Sequence, residues 1–220
     1  MAVLTINGLE VPDDFPFAEY EAVCSKMNDY ATNGAHPLLL GALYGVAHRF
    51  NALAEYDGKL RASIEVDGVG PSNSHRRYEQ ERDLFGFFSN GFSSLECFAF
   101  AMFAVGAIKG LPQFPLATPE DEQQVNWRTL RTAYATAFPG DPVNTALDAI
   151  SSGFKDFNLA RHILTHRTAP PTAFSLRVGE RPNLAMITRV NISLDATTTS
   201  SRRHNVATLL LAGFSAMRQF

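Results

Sequence analysis

Seven consecutive residues, Arg161-His162-Ile163-Leu164-Thr165-His166-Arg167, gather two histidines and two arginines in one short stretch of the chain. Histidine exchanges protons near neutral pH, and arginine carries a fixed planar fork that matches phosphate or carboxylate. Three readings of the cluster compete. In the first, the cations only decorate a helix C-terminus, where the negative end of the dipole favours each by about 0.3–1 kcal/mol. In the second, His162 and His166 are an i, i+4 pair of metal ligands. That reading lacks a third ligand and an HExxH glutamate, and Arg161 and Arg167 would repel a cation. In the third, the cluster cleaves RNA by attack of a 2′-hydroxyl. Such a reaction needs a base for the hydroxyl, an acid for the leaving oxygen and a cation for the phosphorane's charge, and it requires no metal.

Geometry constrains the third reading. His162 and His166 lie about 40° apart around a helix and so share a face. Arg161 and His166 lie about 140° apart, and converge only if the helix bends, ends or meets a second copy of itself. Phe154, Phe157, Ile163 and Leu164 supply the buried side of the segment.

Other chemistry finds little support. No phosphate-binding loop, dinucleotide fingerprint or nucleophile elbow occurs, and Asp67-Gly68-Val69-Gly70 reads as a turn because it lacks a third glycine and a helix start. Cys24 and Cys97 have no paired cysteine and no nearby histidine, so they read as buried free thiols in a reducing compartment. No metal and no cofactor is expected. His36, His48-Arg49 and Arg202-Arg203-His204 read as helix-start, helix-surface and solvated-loop residues, and Trp127 reads as core. His75-Arg76-Arg77 opens a helix where positive charge is unfavourable, so a partner such as Glu79 or an RNA phosphate is expected to hold it.

The elements that must position the cluster follow from pattern and punctuation. With 45% hydrophobic and 19% charged residues in 220, the chain is of globular composition and large enough to fold without staples. Its start has no basic, apolar signal pattern. The most apolar run, Cys97 to Ile108, is shorter than the ~18 residues a bilayer requires. The expectation is a cytoplasmic protein with no membrane partner. Residues 1–160 carry a balance of −9 and residues 161–220 one of +6, with eight arginines and no lysine in the latter. The C-terminal part could therefore offer a positive face to an anion such as RNA phosphate, or to the acidic remainder of the chain.

Residues 3–11 alternate weakly, as a strand or extended arm. Helices are predicted over 17–32, from Pro37 to about Tyr56, over 74–109, over 118–138 behind the Thr118-Pro119-Glu120-Asp121 cap, and from Asp141-Pro142 through Ile150. Residues 153–167 continue the last or form a separate helix. Residues 57–73 carry turn chemistry around one short strand, 60–66. Residues 172–195 read as a β-hairpin, 196–205 as polar, and 206–220 as a terminal helix. The fold class is mainly α: a single domain over 1–220, with a helical bundle core at 17–170 and a small β-hairpin near the C-terminus.

An arginine followed by a polar residue, then a histidine after a short gap, at the end of a late helix in an α bundle, resembles the HEPN superfamily. Arg161 matches its arginine, His162 the polar position and His166 the histidine. The helix containing Phe87-Phe88-Ser89-Asn90-Gly91-Phe92 and Ser93-Ser94-Leu95-Glu96 looks like the early core helix of such proteins, where Glu96 is the candidate for an acidic side chain facing the site. The resemblance covers residues 17–170 and leaves 172–220 unexplained. It implies a homodimer whose two motifs face each other, each completing the other's site. It further implies a metal-independent endoribonuclease of a toxin–antitoxin, defence or RNA-processing system, with Arg161, His166 and His162 catalytic and Arg167 and Glu96 binding substrate. An antitoxin or other protein partner belongs with that role. The alternatives are the same fold as a nucleotide-, RNA- or protein-binding module, and a structural helical subunit.

Overall fold

The computed structural model describes residues 4–165, 172–175, 184–187, 192–194 and 197–220. Near the N-terminus, Asn7 and Gly8 take φ values of 50° and 79°, the left-handed pair of a two-residue hairpin turn. They join strands β1 (Thr5–Ile6) and β2 (Leu9–Glu10), which pair antiparallel as Thr5↔Glu10 and Ile6↔Leu9. The expected single strand or arm is thus a hairpin, and the Asn-Gly pair is its sequence signal.

Helix α1 (Phe17–Met27) ends earlier than the predicted 32, because the chain tightens into a 3-10 turn at Asn28–Tyr30. Asn33 closes this region: its side-chain oxygen accepts from Ala35 N at 2.9 Å, and its amide donates to Ile108 O at 3.1 Å.

Helix α2 (His36–Asp67) corrects the predicted turn and strand over 57–67, for it runs unbroken through Asp57-Gly58, while Gly68 and Gly70, at φ 73° and 61°, lie in the expected turn. Phe50, Leu53, Asp57 and Leu60 are all buried and recur at spacings of three, four and three, so Asp57 occupies an inward position of one helical stripe. A carboxylate with no exposure needs compensation. Asp57 Oδ2 lies 2.9 Å from Arg203 Nη1 and 3.6 Å from Arg61 Nε, and the Ser200 hydroxyl donates to it at 3.2 Å. The turn-like dipeptide is a neutralised core position.

Helix α3 (Ser74–Ile108) follows the predicted span, and Gly110 at φ 68° ends the segment. It is the one helix among the described residues long and apolar enough to cross a membrane, and most of its apolar window is buried. At its start, Glu79 meets Arg76 at 3.2 Å and His75 at 3.6 Å, offsetting positive charge at the helix N-terminus. Gln80 fastens the preceding loop by donating to Gly68 O at 2.8 Å and accepting from Gly70 N at 2.9 Å.

The predicted helix over 118–138 is two helices. A capping box at Thr118 and Asp121 opens α4 (Pro119–Gln124), and a second at Asn126 and Thr129 opens α5 (Trp127–Ala137). Asn126 Oδ1 accepts from Arg128 N and Thr129 N at 3.0 and 3.1 Å, so the backbone restarts where propensity alone would continue. Helix α6 (Pro142–Thr165) is continuous through 153. The C-terminal hairpin is instead a three-stranded antiparallel sheet in the order β3 (Thr172–Ser175), β4 (Leu184–Ile187), β5 (Ile192–Leu194). Helix α7 (Thr198–Met217) begins before the predicted 206. Arginines read as a solvated loop are helical there and bind carboxylates.

The chain divides into two compact units, Met1–Arg49 with Ser93–Phe154 and Val206–Phe220, and Phe50–Phe92 with Lys155–Asn205. In the first, Phe214 meets Phe15, Tyr20 and Phe98 edge-on, with centroids 5.6–6.3 Å apart. Tyr134 is fully buried, packs on Phe114 at 5.0 Å and donates its hydroxyl to Met102 O at 2.8 Å. In the second, Phe87, Phe88 and Phe157 form a buried trio with centroids 5.3–5.9 Å apart. Each such ring stabilises by roughly 1.5–3 kcal/mol.

Candidate functional site

Helix α6 delivers the cluster. Its buried residues Val143, Leu147, Ile150, Phe154 and Phe157 alternate spacings of four and three, and Arg161 is the next member of that stripe. The helix approaches α3 closely because residue 91 is glycine. A Cβ there would overlap Phe157 Cε1 and stand 2.7 Å from Cδ1. One turn beyond Phe157, the half-buried Arg161 places its guanidinium carbon 4.8 Å from the Phe92 ring centroid. A cation over an aromatic face contributes about 0.5–1 kcal/mol and restricts the fork's rotation.

His162 is exposed in the last turn of α6, where the negative end of the dipole favours positive charge. Ile163 and Leu164, expected on the buried side, are only half-buried. The helix ends at Thr165, and His166 and Arg167 lie outside the described residues. The expected meeting of Arg161 with His166, and the shared face of His162 and His166, therefore fall outside them too.

The second unit adds residues that sequence reasoning left in a loop. Arg202 and Arg203 stand in the first turns of α7 and have different partners. Arg203 is bound to the fully buried Asp57. Arg202 lies 5.9 Å from the Phe88 ring centroid and 3.5 Å from Asp156 of α6, whose side chain is 71% exposed. Its Nε is buried and has no hydrogen-bond partner among the described residues. A sequence signal for these contacts existed: two arginines near a helix start oppose the dipole and call for acids.

Glu96, the remaining candidate, belongs to the first unit. It is exposed and lines a cavity of about 450 Å3 with Pro37, Gly41, Cys97, Phe100 and Trp127. Burial pushes the Cys97 thiol up from its ordinary pKa, and does the same for Cys24. Both cysteines are free, but half-buried instead of fully enclosed. Trp127 is core, as expected, and tilts against Phe154 at 5.6 Å. Among the described residues no group of three or more His, Cys, Asp or Glu is arranged to hold a metal ion. No family model, no curated protein and no solved structure matches the chain.

Proposed function

We propose that this protein is a HEPN-like ribonuclease that cleaves RNA without a metal ion, with the end of α6 as its catalytic surface. The observation that carries the reading is the seat of Arg161. A guanidinium steadied over Phe92, at a helix end and beside the exposed His162, is an oriented fixed charge of the kind a phosphorane requires.

In the reaction, the 2′-oxygen of a ribose bonds to phosphorus while a histidine takes its proton. The bond to the 5′-oxygen breaks, and a second proton goes to that oxygen, leaving a 2′,3′-cyclic phosphate and a 5′-hydroxyl. Arg161 would neutralise charge on the phosphorus oxygens, His166 would act as general acid or base, and His162 would orient it or share its work. Arg167 would add a phosphate contact. A homodimer would let each copy's histidine meet the other's arginine, in a defence, toxin–antitoxin or RNA-processing role.

The test is cleavage of varied RNAs by purified protein with EDTA present, comparing wild type with Arg161→Ala and His166→Ala. Loss of cleavage in both variants, with folding and oligomeric state intact, is the expected result. Cleavage that survives both substitutions would end the case for this motif. RNA binding without cleavage by the wild type would leave a non-catalytic binding module.

A further inference from the structure

We propose that Arg202 is a second phosphate-binding residue of the RNA surface, and that Asp156 holds it as an internal stand-in for phosphate until RNA displaces the carboxylate. The inference rests on the RNA reading above but concerns residues that reading does not use.

The placement comes from α3. Phe88 and Phe92 are four residues apart, about 40° around the helix and about 6 Å along it, so they share a face one turn apart. Arg161 from α6 lies over Phe92 at 4.8 Å, and Arg202 from α7 over Phe88 at 5.9 Å. Two elements thus bring guanidiniums to consecutive turns of one helix face, an arrangement that neighbouring phosphates of an extended strand can bridge. The rings lie 4.8 and 5.9 Å from the two guanidinium carbons, and phosphate oxygens approach a fork along its edge.

The contrast with Arg203 separates a latch from a lock. Both arginines sit in the same turn of α7. Arg203 meets an Asp57 carboxylate that has no exposure, at 2.9 Å, and that contact is part of the core. Arg202 meets Asp156 by a single contact of 3.5 Å, with the carboxylate 71% and the arginine 23% exposed. Exposed, loose, monodentate pairs are among the weakest ionic contacts, and solvent or a competing anion replaces them easily. Among the described residues the Nε of Arg202 has no hydrogen-bond partner, so Asp156 leaves the fork incompletely satisfied. A phosphodiester offers two non-bridging oxygens that can take two donors of a fork together, where Asp156 takes one.

The experiment measures binding of a fluorescent, single-stranded 2′-O-methyl RNA, which lacks the attacking hydroxyl and stays intact, between 50 and 200 mM KCl. Asp156→Asn removes the charge of an exposed side chain while keeping its shape, and cannot compromise folding through the core. It is expected to bind about 2- to 5-fold more tightly than wild type, the reverse of a structural loss. Arg202→Gln is expected to weaken binding and to lower the slope of log Kd against log salt by about 0.7, one phosphate's worth, while Arg202→Lys keeps the slope. Asp156→Asn added to Arg202→Gln should bring no tightening. The proposal is overturned if Asp156→Asn binds no tighter than wild type, or if Arg202→Gln keeps wild-type affinity and slope while Arg161→Ala loses affinity. That outcome would leave the RNA reading standing. Absence of RNA binding by wild type and Asp156→Asn alike would overturn both.

Discussion

Gly91→Ala tests how the site is positioned, because opposing effects of known size meet at one atom. In an open helix interior, replacing glycine by alanine stabilises by up to about 1 kcal/mol, since glycine loses more backbone entropy on folding. At Gly91 the added methyl would overlap Phe157 Cε1. Phe157 cannot swing aside freely, for it is 1% exposed and lies 5.9 and 5.4 Å from the Phe87 and Phe88 rings. Forcing a methyl into a packed core costs about 1–3 kcal/mol. The net expectation is destabilisation of about 0–2 kcal/mol, or a fall in Tm of about 2–4 °C per kcal/mol for a chain of this size. Gly41→Ala in α2 is the control, because nothing lies within 4 Å of its added Cβ, and it should raise Tm. Urea and thermal unfolding followed by circular dichroism would measure both. Combining Gly91→Ala with Phe157→Leu should relieve the overlap, so that the two substitutions couple by about 1 kcal/mol or more. If Gly91→Ala stabilises as much as Gly41→Ala, and the pair is additive, the close approach of α6 to α3 is wrong, and so is the argument that seats Arg161.

Four further predictions rest on other parts of the chain. Asp57→Asn should destabilise by about 2–3 kcal/mol, less than the 3–5 of a wholly enclosed pair because Arg203 keeps 24% exposure; an unfolding midpoint unchanged from wild type would show that α7 does not depend on this lock. Burial pushes the phenols of Tyr134 and Tyr20 well above their ordinary range, so the folded chain retains protons that the unfolded chain loses near about pH 10. Stability from these groups is therefore present below about pH 10 and falls as pH rises above it, and a urea midpoint that holds steady to pH 11 would contradict this. Tyr134→Phe should lose about 1 kcal/mol with the bond to Met102 O and flatten that alkaline decline. Burial also raises the Cys97 and Cys24 thiols, so both should react with iodoacetamide more slowly at pH 7 than a free cysteine does; rates equal to the free thiol would refute the burial of both.

Much of the helical framework was legible because its signals are local. Thr118-Pro119-Glu120-Asp121 specifies a helix start by chemistry confined to four residues, and Asp141-Pro142 does so nearly as well. The stripe that ends in Arg161 is a matter of spacing, yet the sequence pattern was read with Ile163 and Leu164 continuing the buried side after Phe157, and both are only half-buried. Where reading failed, the deciding partner lay far along the chain or one signal masked another. Asp57-Gly58 looks like a turn until Arg203, 146 residues later, neutralises the aspartate and lets an inward position of α2 carry a charge. Asn126 was masked by the strong Thr118 cap before it and the apolar period from Trp127 to Phe138 after it, although its own capping box restarts the backbone. Arg202 and Arg203 read as loop cations because the acids that hold them, on α6 and α2, are not their neighbours in sequence.

By itself, then, the sequence determined the mainly helical class, most helix boundaries and the grouping of Arg161, His162, His166 and Arg167 within one short segment. Only tertiary structure decided that Phe92 lies under the Arg161 guanidinium and that Arg202 shares that face of α3. The physical reason is range. Caps and hydrophobic periods act within a few residues, whereas the fit of Phe157 against Gly91 and the pairing of buried charge depend on helices that meet only after the chain has folded.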